Sequence, residues 1–464
     1  MEKGERMWSK MLKSLEESLR LKSKCMKHKS QVNENSIVLP NCNICLEETK
    51  QCNCHHDDAQ HDDSNANSSF IHAVINMVGM LIGLGQLSSP YAIEKGGWGS
   101  VFLLMGLGVI CAYSSHILGK CLEKNPKLRS FVDIGKHAFG SKGRFLAATI
   151  IYVEIFMALV SYTISLHDNL IRVFVGINLK LHFAKFSSSQ LLTVVAILIA
   201  LPSLWIRDLS SISFLSSAGI LMSLLIFVCV AATAIFGGVQ ANHTIPFLQL
   251  HNIPSMSGLY VFGYGGHVVF PDLYKSMKDP SKFTKVSIVS FTVVTALYTT
   301  LGFLGAKMFG NDVKSQITLS MPPEKIITKV ALWATVVTPM TKYALEFAPF
   351  AIQLEHALPS SMSGRIKMII RGCVGSLLLL VILTIALCVP YFEHVLSLTG
   401  SLVSVAICLI LPCAFHIKIC WGQIPKPLLL LNLSLITLGF ILGVTGTISS
   451  SKSLLKSFQS HHST

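Results

Sequence analysis

The sequence predicts an all-α integral membrane protein with about eleven transmembrane helices, of which the first and sixth are broken. Three observations indicate this fold class. The 464 residues are 51% hydrophobic and only 13% charged, whereas soluble domains carry roughly 25% charged residues. From residue 70 onward, apolar segments recur at about the 20-residue length that crosses a bilayer. Two of these segments contain clusters of glycine and proline, which are poor residues for a helix interior.

The chain before the first apolar segment, residues 1–69, is predicted to be a cytosolic hydrophilic tail that is mostly disordered. Its polar, low-complexity stretch 55–69 lacks the apolar residues that a packed core requires. A cluster of thiols and imidazoles around the start of that stretch could close a tetrahedral zinc site, although its spacing fits no standard zinc module. The cluster consists of Cys42, Cys45, Cys52, Cys54, His55 and His56.

The transmembrane domain is predicted at 70–450, followed by a short C-terminal tail at 451–464. Hydropathy in a window of about 19 residues places the helices within it. The predicted spans are 70–92, 98–119, 145–168, 189–206, 212–237, 257–276, 284–308, 325–352, 367–389, 395–416 and 427–448.

The distribution of charge predicts a cytosolic N-terminus. Lysine and arginine cluster in the tail and in alternate loops such as 120–144 and 275–285, while the loop 238–256 has neither. That loop carries the glycosylation sequon Asn242-His243-Thr244, which is expected on the lumenal side. The net charge of +14 is thus explained by basic residues on the cytosolic side of a membrane protein. We therefore expect no nucleic-acid partner.

The first apolar segment, Phe70 to Trp98, is long enough to span the bilayer, but its middle is a poor helix. In hydrocarbon, unpaired N–H and C=O groups cost several kcal/mol each, so a broken span persists only where protein or a wet cavity receives them. The sixth segment, Leu259 to Met277, is interrupted in the same way. Each opens a block of five segments, a pattern typical of secondary transporters with inverted repeats. The breaking residues are Gly79, Gly83, Gly85 and Pro90 in the first segment and Gly263, Gly265, Gly266 and Pro271 in the sixth.

Together, the two breaks predict a binding site for an α-amino acid. N–H groups around Gly83 to Gln86, with the positive end of a half-helix beginning near Ser88, would suit a carboxylate. Carbonyls around Phe262 to Gly265 would suit an ammonium group. The alternative is that these glycines only allow close helix packing, as small residues do in membranes.

Ionisable residues inside the spans are further candidates, because they are expensive in a membrane and usually functional. They are Glu154 and Asp168 in a stripe with Ser161 and Ser165 on the third span, Lys342 and Glu346 on the eighth, and His267 on the sixth. The stripe could line a water path. Lys342 and Glu346 lie four residues apart and could either carry a proton or form a fixed ion pair. His267 is either a titrating residue or a neutral core histidine.

Four motifs occur in order along the chain: GLGQLSSPYAIEKGGW (83–98), FVDIGKHAFGSKGR (131–144), FGYGGHVVFPDLYKSMKDPSKF (262–283) and TPMTKYALEFAPFA (338–351). Together they resemble the amino acid/auxin permease family, and in particular its plant vacuolar amino acid transporter branch. The match runs from about Ser69 to the C-terminus.

This resemblance implies a five-plus-five inverted-repeat fold with an eleventh helix. It also implies proton-driven amino acid transport across the vacuolar membrane. We expect no cofactor. By similarity, the substrate would contact Gly83, Leu84, Gly85 and Gln86 of span one and Phe262, Gly263, Tyr264, Gly265 and Gly266 of span six. The family has sodium-coupled as well as proton-coupled members. The hydroxyls of Thr335 and Thr338 near Lys342 therefore leave the coupling ion open.

No motif typical of an enzyme or of an ATP-driven pump occurs in the sequence, which has no P-loop, GxSxG or HExxH. The paired breaks and the resemblance together make a secondary active carrier of neutral amino acids the expected function. A membrane sensor that binds an amino acid and signals through its tail is the alternative. A channel is disfavoured, because the sequence has no repeated pore motif.

Overall fold

The computed structural model describes residues 68–175, 188–200, 209–237, 244–358 and 362–462. Within these residues the regular elements are helices, apart from one isolated bridge between Ser68 and Met277. The α-helices are α1 (Phe70–Leu81), α2 (Leu84–Gly96), α3 (Ser100–Lys124), α4 (Phe131–Val173), α5 (Ser188–Ala200), α6 (Leu209–Phe236), α7 (Ile253–Gly263), α8 (Phe270–Ser276), α9 (Phe283–Phe309), α10 (Ile317–Ser320), α11 (Ile326–Ala357), α12 (Gly364–Cys388), α13 (Phe392–Thr399), α14 (Leu411–Ile419) and α15 (Lys426–His462). Short 3-10 turns at Pro280–Lys282 and Gly310–Asp312 flank α9, and π-helix at Gly400–Ser404 and Ala406–Ile410 joins α13 to α14.

These helices confirm the predicted all-α membrane architecture. Seven of the described helical spans are long and apolar enough to cross a bilayer, and the bent pair α1–α2 makes an eighth if it counts as one span. Each of the eleven predicted segments coincides with a described helix, a pair of helices or a continuous helical run. Three of these segments correspond to α5, α7–α8 and α11, which are not among the helices long and apolar enough to cross a bilayer. The count of eleven spans therefore stays a prediction.

Both predicted breaks are present. Only Ile82 and Gly83 separate α1 from α2, and the two helices meet at 57°. The second break is longer, because α7 ends at Gly263 and α8 begins at Phe270. The chain therefore has two interrupted helices at the positions where the sequence places them.

The second half of the first broken helix begins earlier than predicted, at Leu84 rather than near Ser88. Pro90 lies inside this helix, although a proline cannot donate to the carbonyl four residues back. That carbonyl belongs to Gln86, and it accepts the Ser89 hydroxyl at 3.1 Å instead. A neighbouring side chain thus replaces the missing backbone donor, and α2 continues through the proline.

A capped short helix and a bend lead into the third span. Ser130 Oγ accepts the Asp133 N–H at 3.1 Å, and the Asp133 carboxylate accepts the Ser130 N–H at 3.1 Å. Phe139 and Gly140 depart from helical geometry, with Gly140 at a φ of +66° that glycine adopts without steric cost. The motif at 131–144 therefore turns the chain into the membrane span.

The last helix, α15, continues to His462, well past its predicted end at residue 448. Tyr391 Oη donates to Ser457 O at 3.1 Å, and the rings of Tyr391 and Phe458 lie 5.1 Å apart between centroids. His394 Nε2 lies 3.0 Å from Ser457 Oγ. Contacts with the residues at the start of α13 thus support a helix in polar sequence, where hydropathy alone gives no signal.

Backbone pairing anchors the start of α1. The Ser68 N–H donates to Ser276 O at 3.0 Å, and the Lys278 N–H donates to Ser68 O at 3.0 Å. Ser69 caps α1 by accepting the His72 N–H at 3.4 Å. These contacts join the start of the first broken helix to the end of α8, the second half of the sixth. The rest of the predicted tail lies outside the described residues.

Candidate functional site

A cavity of about 230 Å³ lies where the two broken helices meet. A hollow needs only about 10–15 Å³ to hold one water, so this cavity has room for a solute of several heavy atoms. Its lining comes from both breaks and from α4 and α11. The lining residues are Met80, Leu81, Gly83, Leu84, Gly85, Glu154, Ile155, Ala158, Tyr162, Phe262, Gly263, Gly265, Gly266, Val268, Val269, Lys342 and Glu346.

The two broken helices touch at a pair of glycines. A Cβ built on Gly85 would lie 2.4 Å from the Gly263 Cα, and one built on Gly263 would lie 3.5 Å from the Gly85 Cα. A side chain at Gly85 would therefore collide with the backbone of the other broken helix. Close packing accounts for this pair, but Gly83, Gly265 and Gly266 also line the cavity, which packing alone does not explain.

The start of α2 presents N–H groups at the cavity. Leu84 and Gly85 are its first residues, and N–H groups in the first turn of a helix have no carbonyl partner within that helix. The Gln86 N–H is already engaged, because it donates to Gly83 O at 3.1 Å. This turn therefore offers the partial positive charge that was predicted for a carboxylate.

The end of α7 presents carbonyls that already accept hydrogen bonds. The Gly265 N–H donates to Phe262 O at 2.9 Å, and Tyr298 Oη donates to Gly263 O at 3.0 Å. The Tyr264 N–H is also directed at Phe262 O. A carbonyl oxygen has two lone pairs, so Gly263 O can accept a second hydrogen bond. Because the C-terminal end of a helix also carries partial negative charge, these oxygens suit an ammonium group.

Three ionisable side chains line the same cavity. Ser404 Oγ donates to Glu154 Oε1 at 3.1 Å. Lys342 Nζ donates to Gly79 O at 3.3 Å, near the carbonyl end of α1, where the helix dipole favours a cation. Among the described residues no ion pair joins Lys342 to Glu346. In this conformation the lysine therefore pairs with the broken helix rather than with the neighbouring carboxylate.

Three predicted site residues lie behind the cavity wall. Gln86 Nε2 donates to a backbone carbonyl of α6 at 2.8 Å. Tyr264 Oη lies 2.9 Å from Thr295 Oγ1, and His267 Nε2 lies 2.8 Å from Ser114 Oγ. In this conformation each of the three contacts other helices instead of the cavity, and their roles in binding or proton transfer stay predictions.

The two hydroxyls considered for a coupling ion face their own helix. Thr335 donates to Ala331 O at 2.9 Å, and Thr338 donates to Ala334 O at 2.8 Å. Both residues are buried on α11, away from the lining of the described cavity. On α11, the charged residue closest to Thr338 that lines the cavity is Lys342.

Two tyrosines at the site were not predicted. Tyr162 lines the cavity, and its Oη would lie 3.2 Å from a Cβ on Gly83. It lies one turn beyond Ala158 and two beyond Glu154 on α4, so extending the predicted stripe along that edge would have found it. Tyr298, on α9, lies behind the breaks. No sequence pattern marks it, because a tyrosine within an apolar span is ordinary.

A loop closes the far end of the predicted polar stripe. Gln316 precedes α10 and is fully buried. Its Oε1 accepts from Ser165 Oγ at 2.5 Å and from Asn169 Nδ2 at 2.8 Å, and its Nε2 donates to Asp168 Oδ2 at 3.0 Å. Ser165 and Asp168 thus hold this loop one to two turns beyond Tyr162, and the water path along the stripe stays a prediction.

Two predictions fall on residues that the structure does not describe, namely the sequon at Asn242 and the zinc cluster of the tail. In the described part of the chain, no group of three or more His, Cys, Asp or Glu residues is placed to hold a metal ion.

Comparison with known proteins decides the family. A family model for transmembrane amino acid transporter proteins matches residues 66–451, which include both breaks and the whole cavity lining. The chain belongs to this family. The resemblance to the amino acid/auxin permeases that the four motifs carry is thereby confirmed.

Several known proteins are similar to this chain over most of its length. Amino acid transporter AVT1H of Arabidopsis thaliana is 60% identical over 424 residues, covering 89% of this chain and 98% of that protein. The vesicular GABA transporter of Caenorhabditis elegans is 25% identical over 422 residues, covering 87% and 83%. Among solved structures, a substrate-bound, outward-open Na+-coupled sialic acid symporter has a TM-score of 0.48 at 12% identity, covering 84% of this chain and 90% of that one.

Proposed function

We propose that this chain is a secondary active transporter that carries neutral amino acids through alternating access to the cavity between the two breaks. The observation that carries the proposal is the cavity at the meeting point of the two broken helices, which is lined by glycines of both breaks. Transporters with inverted repeats bind their substrates at such paired breaks. Membership of an amino acid transporter family supports the same function.

The cavity offers complementary groups for both ends of an amino acid. The first N–H groups of α2, those of Leu84 and Gly85, would receive the carboxylate. The free lone pair of Gly263 O and the partial negative charge at the end of α7 would receive the ammonium group. The remaining wall is largely apolar and would accommodate an uncharged side chain, which supports a preference for neutral amino acids. That wall includes Met80, Ile155, Ala158, Val268 and Val269.

Proton coupling is the form of energy supply that the site supports best. Glu154 and Glu346 are carboxylates at the cavity wall, and protonation would change their charge without any other ion. Lys342 supplies a cation at the carbonyl end of α1, where a helix end attracts positive charge. Because Thr335 and Thr338 lie away from this wall, the described geometry favours protons over sodium.

Alternating access requires that each end of the cavity can open in turn. In this conformation three hydrogen bonds hold the loop at Gln316 against α4 beyond Tyr162. Transport would require this loop to move. The vacuolar membrane, with the N-terminus in the cytosol, is the location that the resemblance and the charge distribution imply.

Reconstitution into proteoliposomes tests the function. Labelled alanine, glutamine, leucine and tyrosine would be offered with a pH gradient or a sodium gradient imposed separately. We expect saturable uptake driven by the pH gradient and unaffected by sodium. Uptake driven only by sodium would refute proton coupling, and binding without counterflow would favour a sensor. A fluorescent fusion observed in plant cells would test the vacuolar location.

A further inference from the structure

A single side chain contacts the ends of both half-helices. Tyr298 Oη lies 2.7 Å from Leu81 O and 3.0 Å from Gly263 O. Leu81 is the last residue of α1, and Gly263 is the last residue of α7. Tyr298 comes from the middle of a third helix, α9, and is only 2% exposed. One buried hydroxyl therefore joins the points at which the two broken helices stop.

These two carbonyls depend on an outside donor. The last carbonyls of a helix receive no N–H from their own helix, and buried backbone oxygens are almost always paired. A hydroxyl has one hydrogen, so Tyr298 shares it between Leu81 O and Gly263 O. The two ends are therefore linked, because a movement of either carbonyl changes the hydrogen bond that the other receives.

The hydroxyl also lies at the contact between the glycines. A Cβ on Gly85 would lie 3.3 Å from Tyr298 Oη, and a Cβ on Gly263 would lie 3.0 Å from Tyr298 Cε2. The Tyr298 ring is supported by Tyr264, whose ring centroid is 5.9 Å away. Tyr298 is not among the residues that line the described cavity, and its hydrogen bonds reach the site through the backbone of the breaks.

We propose that Tyr298 is a positioning residue that fixes the two half-helix ends relative to each other and thereby sets the spacing between the carboxylate and ammonium sites. This inference rests on the proposed function, because it assigns Tyr298 to the same cavity. It makes α9 the element that couples the two breaks. Loss of the hydroxyl would loosen both breaks together, although no group that touches the substrate is removed.

The test compares Tyr298→Phe with Tyr343→Phe. The control also removes one buried tyrosine hydroxyl, which lies 2.6 Å from Thr163 Oγ1 and, among the described residues, has no hydrogen bond to either break. For the panel amino acid with the fastest counterflow, Tyr298→Phe should raise KM about tenfold, the factor that corresponds to roughly 1.4 kcal/mol. A change of this size is expected because the variant leaves the buried oxygens Leu81 O and Gly263 O without their hydroxyl donor. Tyr343→Phe should leave KM unchanged.

Hydrogen exchange supplies a readout that does not depend on transport. In Tyr298→Phe, amides at 80–86 and at 262–267 should both exchange faster than in wild type, whereas in Tyr343→Phe neither segment should change. Faster exchange at one break only, or an unchanged KM, would overturn the proposal.

The unmodified protein provides a second measurement, in case Tyr298→Phe does not fold. A saturating concentration of the same amino acid should slow exchange at both segments together, and protection of only one would also overturn the proposal. A wild-type protein without amino acid uptake would refute the proposed function instead, while the exchange comparison between the two variants would still test the linkage.

Discussion

Gly85→Ala is the most direct test of how the two breaks meet. Gly85 lies in the first turn of α2, where alanine is compatible with the backbone and is favoured over glycine by about 1 kcal/mol in a helix. Helix propensity alone therefore predicts a slightly more stable protein. Packing predicts the opposite, because the new methyl group would point at the Gly263 Cα.

The distances decide between these effects. At 2.4 Å, the Cβ would lie about 1 Å inside ordinary van der Waals contact, and the atom it meets is backbone that cannot rotate away. Such overpacking typically costs about 1–3 kcal/mol, which exceeds the propensity gain. The breaks would have to separate by about 1 Å, and a misplacement of that size at a reacting site can cost about a hundredfold in rate. We therefore expect amino acid uptake to fall by about tenfold to a hundredfold.

The assay is the initial rate of counterflow in proteoliposomes, with the melting temperature of the purified protein measured in parallel. Gly106→Ala is the matched control, since a Cβ on Gly106 meets no atom within 4 Å. Gly83→Ala is an intermediate case, because its Cβ would meet only Tyr162 Oη at 3.2 Å. The expected order of rates is Gly106→Ala, then Gly83→Ala, then Gly85→Ala. Equal rates for Gly85→Ala and Gly106→Ala would refute the described contact between the breaks.

Three further variants test the surroundings of the cavity. Glu346→Gln should flatten the pH dependence of uptake while counterflow at equal pH persists, and an unchanged pH profile would assign Glu346 a structural role. Lys342→Met keeps the alkyl stem that passes Gly219 but removes the donor to α1. It should lower the initial uptake rate about tenfold or more, since hydrogen bonds from charged groups contribute about 1.5–3 kcal/mol; a rate near wild type would show that the ammonium is dispensable. Gln316→Ala leaves the Asp168 carboxyl without its amide donor, and should lower the free energy of unfolding by about 1–3 kcal/mol. A melting temperature equal to that of wild type would contradict this expectation.

The positions of the breaks could be predicted because their causes are local. Glycine lowers helix propensity wherever it stands, and proline removes its own N–H donor. The clusters at Gly83 and Gly263 therefore mark broken helices without knowledge of their neighbours. The exact start of α2 could not be predicted in this way. It depends on whether another group satisfies the Gln86 carbonyl beneath Pro90, and the Ser89 hydroxyl does so.

The candidate site residues also fall into two groups, those that local sequence could select and those whose orientation depends on tertiary packing. Glu154, Lys342 and Glu346 could be selected from sequence because a charge inside an apolar span is costly wherever the span packs. Whether a residue such as Gln86 or His267 faces the cavity depends on the rotation of its segment against other helices, which hydropathy does not encode. For the same reason, the sequence could not show that Asp168 accepts a hydrogen bond from Gln316, which lies in a distant loop.

By itself, the sequence determined that this chain is an all-helical membrane protein with two interrupted helices and charged residues within its spans. These properties follow from composition, segment length and local backbone chemistry. Only the tertiary structure decided that the breaks meet at Gly85 and Gly263, that Lys342 caps α1, and that one hydroxyl from Tyr298 joins both half-helix ends. These contacts link residues that are distant along the chain, and such pairings depend on how whole helices pack against one another.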